Sequence, residues 1–325
     1  MDSDLKKISA PIQKELDVFK IEFRQAIKSK VALVDLISKY ILRQKGKKIR
    51  PILVLLSAKL CGDINKRTYL AATLVEMLHT ATLIHDDVVD DAQTRRGLAS
   101  INAVWKNKIA VLMGDFMLSR GLLLALENDE CGFLKITSKA VKRMSEGELL
   151  QIQKNRKFDV NEETYFRIIS DKTASLITAC CELGAASTAS DKNNIKLLSE
   201  FGENIGIAFQ LRDDILDYVG KKKIMGKSSG SDLKEKKFTL PLIHALQNST
   251  KKESKEIIGI VKDGAFTKNK SIVLDFIKEY KGLDYAILRT REFCSVAKTK
   301  IKDFKNSETK ETLVSFVDFI GDRLN

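Results

Sequence analysis

The chain is short of the residues that punctuate turns. Its 325 residues include only 3 prolines and 17 glycines. That is too few for many short strands joined by tight turns, which excludes a sandwich or a barrel. Histidine numbers only 3, leaving little for a histidine-rich metal centre or a catalytic dyad built on imidazole. The 5 cysteines are odd in number and scattered, with Cys180 and Cys181 adjacent. They give no disulfide framework and no ligand spacing, and imply reduced thiols in a cytoplasmic setting. No apolar run approaches the roughly 18 residues of a membrane span. One of the longest, ILVLL at 52–56, reads as a piece of buried helix. The opening MDSDLKK lacks the apolar run of a signal peptide.

Apolar residues make up 44%, enough for a core and too many for a disordered chain. The formal charge is +13, but residues 219–325 hold 23 basic against 14 acidic residues and so carry +9 of it. Those bases are interspersed with acids, as in KKESKE. A solvated lysine-rich surface is expected, with no nucleic-acid partner and at most peripheral membrane contact.

Apolar residues recur at helical spacing nearly throughout, as at Leu5, Ile8, Ile12, Leu16, Phe19 and Phe23. Segments 66–91, 162–187, 193–219, 271–280, 285–305 and 309–323 read likewise. The pattern predicts an all-α fold of roughly a dozen helices with no strand. It also predicts one domain over residues 1–325, with Pro51 and Pro241 in the first turns of helices. The Gly/Ser/Lys-rich stretch 220–232 is expected to be a loop suited to phosphate.

Chemistry concentrates in HDDVVDD at 85–91. Asp86 and Asp90 are four apart, so a helix places them about 6 Å from one another on one face, with Asp87 beside them. Like charges at that spacing repel unless cations neutralise them, and Mg²⁺ suits such carboxylates when substrate phosphates complete its shell. The pattern returns 127 residues later as Asp213, Asp214 and Asp217 in FQLRDDILDY. One such motif is a weak signal; two, both inside amphipathic helices, point to several Mg²⁺ around a diphosphate. Basic partners are present as Lys47, Arg50, Arg95, Arg96, Lys172, Lys227 and Lys237. Lys48 and Lys236 read as surface cations. His79 lies two turns before Asp86 on the same face.

In order and spacing these motifs resemble the trans-prenyltransferases, the all-α polyprenyl diphosphate synthases, from GKKIRP through HTATLIHDDVVDDAQTRRG and FQLRDDILDY to FTLPLI. Lys48 stands where the family commonly has arginine, and Lys236 where it has glycine. The resemblance implies an isoprenoid synthase bundle and Mg-dependent head-to-tail condensation of isopentenyl diphosphate with an allylic diphosphate. It implies about three Mg²⁺ per site held by Asp86, Asp90 and Asp213, with Asp87, Asp214 and Asp217 assisting. Arg95, Lys172, Lys227 and Lys237 would take allylic phosphate charge. Lys47, Arg50, His79 and Arg96 would hold isopentenyl diphosphate, and Thr173 and Gln210 would stand near the allylic cation. It also implies a homodimer, with apolar helices around 99–126 able to pack against a twin.

Ala81 and Thr82, one turn before Asp86, are small, with Leu78 deeper. Bulky residues there favour short products in the family, so a long-chain product of about six to eight units is expected, each unit matching one helical turn. A short-chain synthase is the nearest alternative. A class I terpene cyclase would show a mixed Asn/Ser/Glu second motif. A His-Asp phosphohydrolase needs more histidines. A non-catalytic subunit of the same fold would lack one aspartate motif, and both are intact.

Overall fold

The computed structural model describes residues 3–44, 46–157, 161–188, 191–219, 233, 237–263 and 268–321. The expected all-α class is what it shows. Helices α1 (Ser3–Ser9), α2 (Gln13–Ala26), α3 (Ala32–Arg43), α4 (Ile49–Cys61), α5 (Lys66–Val89), α6 (Ile101–Leu126), α7 (Cys131–Lys157), α8 (Glu162–Ile169), α9 (Ser175–Ser187) and α10 (Lys192–Val219) lead into the last third. There follow α11 (Leu240–Asn248), α12 (Lys251–Lys262), α13 (Lys270–Glu279), α14 (Gly282–Lys300) and α15 (Glu308–Gly321). Pro51 and Pro241 fall in the first turns of α4 and α11, where a missing N–H costs nothing.

The absence of strands needs one correction. Thr94–Arg95 and Leu98–Ala99 form a two-stranded antiparallel hairpin. Its turn is made by Arg96 at φ 51° and Gly97 at φ 80°, the paired positive values that match the twist of a tight hairpin. Strands of two residues are too short for a period to reveal.

The chain folds into two compact units. One comprises Met1–Lys139, Leu176–Ser199 and Phe304–Leu313; the other comprises Ala140–Ser175, Glu200–Asp303 and Val314–Asn325. In the first, α5 packs on α2, α4 and α6. Helix α4 is buried from Pro51 to Ala58, as its nearly unbroken apolar sequence requires. Helix α5 starts at a capping box in which Asn65 accepts from the backbone of Arg67 and Thr68, satisfying donors that a helix start leaves orphaned. The Thr68 hydroxyl also meets the Ser187 hydroxyl at 2.8 Å, tying this end of α5 to the end of α9.

In the second unit, Leu211, Ile215 and Tyr218 of α10 join Leu240 and Ile243 of α11, Val261 of α12, Ile277 of α13 and Ala286 of α14 in one core. Between α8 and α9 the backbone passes through a π turn, Ser170–Ala174, inside what the period presents as one helix over 162–187. A π turn adds one residue to the helical cycle and re-aims the side chains it carries.

Candidate active site

Each unit carries one aspartate motif, and the two are built alike. In the first unit Asp86 and Asp90 are exposed near the C-terminal end of α5, and Asp87 between them is buried, 3% exposed. Asp90 caps the helix through its N–H to the Asp86 carbonyl at 2.8 Å. The Asp87 carboxylate accepts from Arg95, from Nε at 2.7 Å and also from Nη2. The hairpin makes this possible by turning the chain back on α5 straight after the motif. Asp87 therefore faces a protein cation, and the Asp86–Asp90 pair faces outward.

The second unit repeats the division. Asp213 and Asp217 are partly exposed, while Asp214 is 4% exposed. Asp214 accepts from the Tyr165 hydroxyl at 2.6 Å and from Gln210 Nε2 at 2.6 Å. Gln210 in turn accepts from the Thr173 hydroxyl at 2.9 Å. Lys172 reaches Gln151 Oε1 at 2.7 Å and Glu148 Oε2 at 2.5 Å. A cleft is lined by Gln151 and Asn155 of α7, Lys172 and Thr173 of the π turn, Gln210 and Asp214 of α10, and Lys237. Lys227 and the 220–232 loop lie outside the described residues, as does Lys236.

The basic cluster of the first unit surrounds His79, which is buried. Burial first, then Arg50, Arg96, Lys48 and Arg95 in that order, hold its pKa well below the ordinary imidazole value. Arg96 Nη2 approaches His79 Nε2 at 3.5 Å. Arginine only donates, so that nitrogen is the unprotonated one. The Arg96 guanidinium lies on the Gly46 backbone, where any Cβ would collide with it. Arg50 Nε is buried without a hydrogen-bond partner, and burial lowers the Arg50 pKa. A buried orphan guanidinium donor calls for an anion. Lys47 is exposed beside it.

Lys48 differs from expectation. It is a half-buried ion pair with Glu76 at 2.7 Å, held by a left-handed backbone at φ 53°. Glu76, 3% exposed, is an acid inside the apolar run LVEMLHTA, and that isolation is the sequence signal of a buried partner. Gln151, Glu148 and Tyr165 carried no such signal. His85 turns away from the motif, its Nε2 lying 3.2 Å from the Val111 carbonyl and 3.4 Å from Asp115. It has no place in a His-Asp metal centre. Below the motif Ala81 and Leu78 are buried at 2% exposure, and the Thr82 hydroxyl is satisfied by the His79 carbonyl at 2.9 Å.

Among the described residues no three His, Cys, Asp or Glu side chains gather as a ready metal cage. Magnesium asks for none, since it takes one or two carboxylates and fills its octahedron with water and phosphate. An outward pair of carboxylates four residues apart fits that demand, and the buried middle aspartates do not.

The family model for polyprenyl synthetase matches residues 31–278. An all-trans-nonaprenyl-diphosphate synthase of Rhodobacter capsulatus, described as specific for geranyl diphosphate, is 38% identical over 98% of this chain and 97% of its own. An octaprenyl diphosphate synthase of Haemophilus influenzae is 34% identical over 99% of this chain and 94% of its own. Among solved structures, a polyprenyl synthase of Caulobacter crescentus complexed with calcium and isoprenyl diphosphate superposes with a TM-score of 0.90. It is 30% identical and covers 99% of this chain and 98% of its own. With aspartate motifs, fold and full-length similarity in agreement, the chain belongs to the polyprenyl synthetase family, prenyltransferases that condense isopentenyl diphosphate head to tail with allylic diphosphates.

Proposed function

We propose that this chain is a cytoplasmic, Mg²⁺-dependent synthase of a long-chain all-trans polyprenyl diphosphate. It acts as a single polyprenyl synthetase domain over residues 1–325. The observation that carries the residue assignment is the repeated division of labour in the aspartate motifs. In each, two carboxylates four residues apart are the more exposed ones, and the middle one is buried against a protein donor.

Asp86, Asp90, Asp213 and Asp217 then hold about three Mg²⁺ together with the allylic diphosphate, since Mg²⁺ favours a few carboxylates plus phosphate oxygens. When bound, the metal neutralises the diphosphate and makes pyrophosphate a competent leaving group. Asp87 serves by aiming Arg95, and Asp214 by fixing Gln210. Lys172, Lys237 and Arg95 add positive charge around the diphosphate, as would Lys227. Lys47, Arg50, Arg96 and neutral His79 bind the diphosphate of isopentenyl diphosphate. The allylic C–O bond ionises, and Thr173 and Gln210 turn oxygen dipoles toward the cation. The alkene of isopentenyl diphosphate attacks, and the released proton passes to the departed pyrophosphate.

The small side chains of Ala81 and Thr82 one turn before Asp86 support a long product, as do relatives that bear octaprenyl and nonaprenyl names. The chain is incubated with isopentenyl diphosphate, an allylic primer and Mg²⁺, and its products are resolved by length. Products of about six units or more are expected, one helical turn per unit. Loss of elongation on metal chelation and its return with Mg²⁺ are expected too. Failure to elongate any primer would overturn the reading. Ala81→Phe places a ring in the path and is expected to shift the product distribution to shorter chains. Unchanged length would remove Ala81 from the tunnel.

A further inference from the structure

The π turn Ser170–Ala174 carries Lys172 and Thr173, yet nothing in those five residues accounts for its register. A π turn is a rare backbone state inside an α-helix. Left to itself, SDKTA would continue α8 into α9 by ordinary i→i−4 bonds. Two neighbouring helices grip it instead.

Helix α7 contributes Arg143. Its Nε donates to Asp171 Oδ1 at 2.7 Å, and its Nη2 to the Ser170 hydroxyl at 2.7 Å. Nη1 and Nη2 also fork onto the two oxygens of Glu203 of α10, at 3.1 and 2.9 Å. The Ser170 hydroxyl itself donates to Glu203. One guanidinium and one carboxylate thus clamp the first two residues of the turn. The next rung on each helix is a glycine. A Cβ on Gly147 would stand 2.7 Å from the Lys172 backbone nitrogen, and one on Gly206 would stand 2.6 Å from Ala174 Cα. Both helices therefore touch the turn backbone to backbone. The rung after that catches the functional side chains, Gln151 taking Lys172 and Gln210 taking Thr173. Clamp, contact and capture follow in step along α7 and α10.

We propose that the Arg143–Glu203 pair is a positioning device that sets the register of the π turn, so that Lys172 and Thr173 present their side chains to the allylic diphosphate. Arg143 touches no substrate and acts through those two residues. The inference rests on the proposed roles of Lys172 and Thr173.

The test uses the full-length enzyme with Arg143→Lys, Arg143→Gln, Glu203→Gln and Lys172→Ala, and the double variant Arg143→Gln/Lys172→Ala. Steady-state kinetics are run separately for the two substrates. Misplacing a positioning group by about 1 Å costs on the order of 10²-fold. Arg143→Gln and Glu203→Gln are therefore expected to lower kcat/KM for the allylic diphosphate by about 10- to 100-fold, with KM for isopentenyl diphosphate unchanged. Arg143→Lys keeps the charge without the fork and is expected to recover part of the loss. The double variant is expected to be little worse than Lys172→Ala alone, because residues acting as one unit are non-additive. The inference is overturned if the Arg143 and Glu203 variants lose thermal stability while the folded fraction keeps normal kinetics, or if the losses add in full. It is also overturned if both substrates are affected equally. A Lys172→Ala enzyme with normal kinetics would overturn the site reading itself, and this inference with it. Should Arg143→Gln fail to fold, Arg143→Lys and Glu203→Gln carry the same comparison.

Discussion

Asp86 and Asp87 are adjacent and chemically identical, and they do opposite things because a helix turns about 100° per residue while residues four apart return to nearly one face. Asp90 shares the outward face with Asp86, and Asp87 points inward at Arg95. Asp86→Ala or Asp90→Ala is therefore expected to cut turnover by about 10²–10³, the cost of losing a group that stabilises transition-state charge, with thermal stability unchanged. Asp87→Asn instead weakens hydrogen bonds to a charged partner and is expected to cost about 1–3 kcal/mol of stability. Calorimetry beside activity separates the two, and the opposite pattern would reverse the roles. The aspartates were legible because their spacing is a local property. The partners of Asp87 and Asp214 were not, since a pairing depends on where the chain returns.

His79 supplies the pH dependence at the same scale. Its folded pKa lies well below 6.5, chiefly through burial and then the nearby arginines. Above the ordinary imidazole pKa both folded and unfolded states are neutral there, and nothing is lost. As pH falls below about 6.5 the unfolded chain takes up a proton that the folded state refuses, so stability falls. Melting temperatures followed from pH 7.5 to 5 are expected to drop less steeply in His79→Gln than in the native chain, and parallel slopes would exclude His79 as the cause.

Among the elements, periodicity found the helices and missed their interruptions. The 162–187 pattern reads as one helix because a single π turn displaces the phase by one residue, too little to break an apolar stripe. Helix α6 hides a sharper defect. Inside it Lys106 adopts φ 72° and ψ 162°, a region that is essentially glycine's and costs another residue about 1–3 kcal/mol. Lys106 is exposed, so its side chain offers little in return. Lys106→Gly is expected to relieve that strain and raise stability by about 1 kcal/mol, less the larger entropy a glycine gains on unfolding. Denaturant titration reads this as a higher midpoint at constant slope. A lower midpoint would mean that Lys106 makes a contact worth more than its strain.

For the whole molecule, the charge surplus named no partner, and the exposed apolar surface is the better guide to assembly. Helix α6 contains an 18-residue window of mean hydropathy 1.8, of which 33% is buried. By length and composition alone such a helix is long and apolar enough to cross a membrane. One face, with Ala110, Met113, Met117 and Ala125, is buried, and α6 packs along α5. The other leaves Leu112 at 56%, Leu123 at 45% and Leu126 at 52% exposed. A contiguous apolar surface of this kind marks an interface, and a second copy of the chain, with the same stripe, is the self-complementary occupant that a two-fold axis allows. A homodimer through α6 is therefore expected. Sedimentation equilibrium is expected to give twice the 36.5 kDa chain mass at micromolar concentration. Leu112→Glu/Leu123→Glu, which brings carboxylates face to face across the axis, is expected to yield folded monomers. A native chain that sediments as a monomer would refute the dimer, and a double variant that stays dimeric would move the interface off this helix.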